Sequence, residues 1–301
     1  MSSKAILFAA FLVTLNLGLS SYPALAQVES VTVIALREKQ IQQYVESHAV
    51  PSRIVSKIGR WETGICLTAE GLKPDLLEFV VRRVKAVATK VGARVNSGPT
   101  CRQNVEIGFA SNPQSVMDYV RDKHINYLGF YSTETEAEKS AQMTHPIQSW
   151  YATVTIDPSG EVQTDTPLRG DPQCYDPPIC HLMILAPIHR SMGTRVNDGL
   201  STGFRNVIVL GDRDKLGKMD MGTLADYISF LVLAQPASLD DCTALPSILN
   251  SLAANCTANS SELSVADIAY LTGLYHMNTD RLLAGQKAEI AFQMKKLLGG
   301  R

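Results

Sequence analysis

Apolar and polar positions recur along this chain with two different periods, and the switches between them predict its elements. From Val31 to about Ser56, Ile34, Ile41, Tyr44 and Val45 fall at helical spacing among Glu38, Lys39, Gln42 and Glu46. That is an amphipathic helix stopped near Pro51, read as an N-terminal arm (27–57) that docks on a single domain (58–301). Gly64 to Leu67 reads as a strand with a turn at Glu70-Gly71. Pro74 opens a helix, since its missing N–H would be unpaired at the first helical position anyway. Leu76, Leu77, Val80, Val81, Val84, Val87 and Val91 form its apolar stripe, and Gly92 caps its end. Arg82, Arg83, Lys85 and Lys90 read as a solvated face.

Asn104 to Ala110 and Ser149 to Asp157 alternate with period two, Trp150, Ala152, Val154 and Ile156 sharing one face of the second strand. Gln114 to Lys123 predicts a short helix between them. Thr164 to Pro178, rich in Pro, Asp and Gly, predicts a loop insertion, and His181 to Ile188 suits a strand or the first turns of a helix. Phe204 to Leu210 is a buried strand. A polar turn leads to a helix over Thr223–Gln235, where Thr223 and Asp226 have capping-box spacing and Pro236 ends the run. Beyond it the chain reads as helical over Leu245–Ala253, Ser264–Tyr275 and Asp280–Leu298, with Ser264 and Asp267 repeating that spacing. The fold class expected is α+β, with a helical C-terminal part from about residue 222.

The start of the chain changes this picture by setting the compartment. Lys4, the apolar run Ala5–Leu19 and Ala24-Leu-Ala26 make a secretory signal over residues 1–26. An N-terminal membrane anchor is the rival, but the run is short for a span of about 20 residues. No later segment is long and apolar enough to span. The expected location is secreted or periplasmic. The six cysteines all follow the signal, and an even number in an oxidising compartment reads as disulfides. Proximity favours Cys66–Cys101, Cys174–Cys180 and Cys242–Cys256 among the fifteen possible pairings. No Cys-x-x-Cys pair supports a zinc cluster. The formal charge of −1 comes without basic runs and argues against nucleic acid as a partner.

Candidate chemistry is sparse. None of the six histidines pairs with another at i, i+4, so His-Glu-x-x-His, which puts two imidazoles on one helix face, is absent. No Gly-x-Ser-x-Gly elbow or phosphate-binding loop occurs. His181 and His189 would share a face of an extended segment, and Asp226 sits early in the best-defined helix. These three are the candidate catalytic residues, against a reading of hydrogen-bonded histidines and a capping carboxylate. Asp212, Asp214 and Asp220 surround a turn but lack the Gly and Glu of an EF-hand loop. Asn255 and Asn259 begin glycosylation sequons, which matter only in a eukaryotic host. No cofactor and no metal is expected.

The order of elements (strand with Cys66, long helix, strands at Val105 and Trp150, insertion, strand at Val207, helix at Thr223, helical remainder) resembles the zincin-like fold of zinc metallopeptidases. Asp267-Ile-Ala-Tyr-Leu-Thr-Gly-Leu-Tyr275 is similar to a stretch of exported bacterial proteins, and the resemblance spans about Ile58–Leu298. In zincins the helix after the edge strand carries His-Glu-x-x-His, whereas here it reads Leu224-Ala-Asp-Tyr-Ile-Ser-Phe-Leu-Val-Leu-Ala-Gln235. No ligand carries over. The resemblance implies a non-catalytic binding or structural relative that uses the groove between the 204–210 strand and the 223–235 helix, where an edge strand would pair with a peptide. The alternatives are a hydrolase assembled from His181, His189 and Asp226, and a subunit docked on an envelope protein through the 27–57 arm.

Overall fold

The computed structural model describes residues 37–96, 98, 100–165 and 197–299, and residues 38–301 make one compact unit. Its described elements are helix α1 (37–48), β1 (Leu67–Glu70), α2 (Pro74–Val91), β2 (Val105–Ala110), α3 (Pro113–Lys123), a 3-10 turn at Ile125–Leu128, α4 (Glu134–Ser140), β3 (Ile147–Ile156), β4 (Val162–Thr164), β5 (Ser201–Asp212), α5 (Met221–Leu233), α6 (Val265–His276) and α7 (Leu283–Gly299). The sheet runs β1-β2-β5-β3-β4. β1, β2 and β5 are parallel, and β3 is antiparallel to both β5 and β4. This is an α+β fold on a mixed sheet, as the pattern implies.

The period of two divides β5 between two cores. Val207 and Val209 join Val105, Ile107 and Phe109 of β2 in the main core, with α1, α2, α5, α6 and α7. Ile208, Leu210 and Trp150 turn to the other face, under Met117 and Val120 of α3 and Ala137 of α4. Among the described residues, that second layer covers only part of its face.

Several expectations move. The first strand is Leu67–Glu70, not Gly64–Leu67, because Cys66 N–H is taken by Asn104 Oδ1 at 2.7 Å and the ladder with β2 opens at Leu67↔Val105. The segment read as a docking arm puts Ile41, Tyr44 and Val45 in the main core, because Tyr44 hydroxyl donates to the buried Asp267. No α-helix forms over Leu245–Ala253; only Leu249–Ser251 make a 3-10 turn. There the Asn250 amide is spent on Ala258 O at 2.8 Å and on Thr243.

Disulfides Cys66–Cys101 and Cys242–Cys256 form as expected; Cys174 and Cys180 lie outside the described residues. Among those residues, no helix is long and apolar enough to cross a membrane.

Candidate functional site

The helix on which the zincin comparison turns is α5, and its geometry differs from its sequence pattern. It starts two residues before Thr223. Asp220 is the N-cap, its carboxylate accepting Gly222 N–H at 2.8 Å and Thr223 N–H at 3.1 Å. Thr223 hydroxyl therefore donates elsewhere, to Ser261 O at 2.7 Å, and no Thr223–Asp226 capping box forms. Asp226, only 2% exposed, instead meets Arg83 in a two-pronged ion pair and accepts Leu263 N–H at 3.0 Å. Arg83, read from the sequence as solvated, is thus a structural partner. Bonding to Asp226 holds the guanidinium above its ordinary pKa, against a smaller opposing effect of burial.

Every residue from Thr223 to Leu233 is buried, with Tyr227 and Phe230 in the main core, while Asp220, Thr223 and Asp226 border a cleft of about 700 Å³ shared with Phe79, Arg82 and Arg83 of α2. The proposed groove beside this helix also fails as a strand-pairing site, because β5 is interior, bonded to β2 on one side and β3 on the other. The sheet's edges are β1 and β4. Of the candidate catalytic residues, only Asp226 can be placed; His181 and His189 lie outside the described residues. Among the described residues, no group of three or more His, Cys, Asp or Glu side chains is arranged to hold a metal ion. Asp212 caps the turn Arg213–Leu216 by accepting Asp214 and Lys215 N–H, so it and Asp220 serve backbone ends.

A different site lies on the half-covered face of the sheet. A cleft of about 790 Å³ is bounded by Ala152 and Val154 of β3, Asn206 of β5, the 3-10 turn and the Arg102–Asn104 approach to β2. A β-bulge shapes its floor. Ala152 pairs with Asn206 but Thr153 pairs with Phe204, leaving Arg205 as the extra residue. Strict alternation from Val209 and Val207 would drive Arg205 into the main core. The bulge turns Phe204 inward instead, against Trp61 and Tyr151, and puts Arg205 at the cleft rim, where it donates to Thr164 Oγ1 at 2.6 Å.

Asn206 is 7% exposed, and its Nδ2 has no hydrogen-bond partner among the described residues. A buried amide donor left unpaired costs about 1–3 kcal/mol, so its retention calls for a reason. The wall opposite carries His124 and Tyr127, ring centroids 5.9 Å apart. Gly129 ends the 3-10 turn at φ +85°, and a Cβ there would stand 2.5 Å from Tyr151 O; glycine is what lets this wall approach β3. On the remaining side the Cys66–Cys101 bridge ties the approach to β2, and Asn104 links Cys66 N–H to Gly64 O.

Sequence reasoning missed this cleft. Its one signal was the polar pair Arg205-Asn206 inside an otherwise apolar run, which two-residue alternation cannot place on one face. No family model, curated protein or solved structure matches this chain.

Proposed function

We propose that this is an exported, non-catalytic binding protein on a degenerate zincin-like fold, and that the cleft over Asn206 is its recognition site. The observation that carries the reading is the unpaired, buried Asn206 amide beneath a cleft of about 790 Å³. A bound ligand whose acceptor reaches this amide satisfies what folding leaves unmet. The zincin-like part of the reading rests on the order of elements along the chain alone, since α5 follows the interior strand β5 and not an edge strand. The carboxylate on that helix is already committed to Arg83 and Leu263 N–H, and one carboxylate does not make a catalytic zinc site. Two disulfides fit an oxidising compartment.

Asn206→Leu tests the recognition site without knowledge of the ligand. A polar side chain kept for binding costs stability, so an apolar replacement of similar size leaves the melting temperature unchanged or raises it. A fall of several degrees would make Asn206 a structural residue and remove the main support for the cleft. Metal analysis of the purified protein tests the non-catalytic part. Stoichiometric zinc that is lost on His181→Ala or His189→Ala would restore the hydrolase reading.

A further inference from the structure

The rim and walls of the cleft carry unused bonding capacity of one kind. Arg102, Lys123 and Arg205 all border it and are exposed. Among the described residues none of the three is paired with a carboxylate, whereas Arg121 nearby has both Asp118 and Asp122. The one acid lining the cleft among the described residues, Asp122, shares Arg121 with Asp118, so the three rim cations outnumber it. Gln103 and Asn126 line the walls with their amides unbonded to any described residue, and each amide offers both a donor and an acceptor. Tyr127 and His124 add ring faces with polar tips.

We infer that the cleft takes an acidic sugar, a uronic-acid oligosaccharide, an assignment that rests on the cleft being the recognition site. The three rim cations meet the carboxylates. Amides that both donate and accept match hydroxyls that do the same, and the apolar face of a pyranose ring packs on Tyr127 and His124. An extended acidic peptide fits less well. The floor is the face of the sheet, where β3 and β5 bond each other, so the floor itself offers no free backbone ladder to read a peptide main chain.

Calorimetric titration of the purified protein with tetragalacturonate, its neutral tetragalactose counterpart and a tetraglutamate peptide tests the assignment. Tetragalacturonate is expected to bind, more weakly as salt rises. The neutral sugar and the peptide are expected to bind roughly tenfold more weakly or worse, and the exposed triple variant Arg102→Ala/Lys123→Ala/Arg205→Ala to lose roughly tenfold in affinity at unchanged melting temperature. Equal binding of the neutral sugar or the peptide, a triple variant that binds as the parent does, or no binding of tetragalacturonate at millimolar concentration would each overturn it. Those outcomes leave the Asn206→Leu stability result standing, so failure of the ligand class and failure of the cleft are told apart.

Discussion

The last carbonyls of α5 end in protein, and three aromatic side chains supply their donors. Trp61 Nε1 donates to Val232 O at 2.7 Å, Tyr275 hydroxyl to Leu233 O at 2.9 Å, and Tyr151 hydroxyl is shared between Leu231 O at 2.6 Å and Ala234 O at 2.9 Å. A helix leaves its final carbonyls unpaired, and α5 ends without the left-handed glycine that would turn them over. Burial raises the phenol pKa of both tyrosines well above its ordinary value, so they remain donors. Tyr151→Phe keeps the ring and removes the shared donor. It should destabilise the fold by about 1–3 kcal/mol, read as a lower denaturation midpoint at constant m-value. Arg83→Met strands the buried Asp226 charge. Arg83 is 43% exposed and its charge partly screened, so the expected loss is also about 1–3 kcal/mol, short of that for a fully buried pair. Asp226→Asn should lower stability without changing binding at the cleft; loss of a chemical activity in that variant would put Asp226 back among catalytic residues.

At the scale of elements, the two Ser/Thr-x-x-Asp spacings show what local pattern can and cannot decide. Ser264 and Asp267 form the reciprocal box the spacing predicts, whereas Thr223 and Asp226 do not, because Asp220 already caps the helix upstream and takes Thr223 N–H together with Gly222 N–H. A capping motif names a first turn only when nothing upstream caps sooner. α2 was legible to its ends, Pro74 at the start and Gly92 at φ +92° past the close, since both signals are local. β5 was legible as buried but not as interior. Strand order depends on pairings with β2 and β3, some 100 and 50 residues away. The bulge at Arg205 depends on them too. The 3-10 turn offers a direct test of this level, since Gly129→Ala sets a Cβ against Tyr151 O. That substitution should cost about 1–3 kcal/mol and weaken cleft binding by moving Tyr127. A Gly129→Ala protein with unchanged melting temperature and affinity would show that the wall tolerates the shift.

At the scale of the whole molecule, α1 decides whether the fold is a domain with an arm or one body. Its amphipathic pattern was readable, but its partners lie more than 200 residues away: Tyr44 bonds Asp267, and Tyr270 hydroxyl donates to His48 O at 2.7 Å. Deleting 27–57 should therefore lower the melting temperature sharply, where loss of a docked arm would leave it unchanged. The same packing makes stability depend on pH. His48 lies among Tyr44, Phe230 and Tyr270, with Tyr44 O 2.8 Å from its Nδ1. Burial lowers its pKa from the ordinary value, outweighing the opposing pull of the Tyr44 carbonyl and of Asp267. The folded protein thus keeps this imidazole neutral at pH values where the unfolded chain, titrating near 6.5, has bound a proton. With more protons on the unfolded state, stability falls as pH drops below about 6.5 and is level above it, as far as this group is concerned. Melting temperatures from pH 8 to 5 should show that decline, and His48→Leu should remove this part of it. The variant starts from a lower stability because Nδ1 loses its bonds, so the comparison is of slopes. Carboxylates titrate lower and in both proteins, so they drop out of the difference. A difference curve flat across pH 6.5 to 5 would mean that His48 takes up its proton in the folded core.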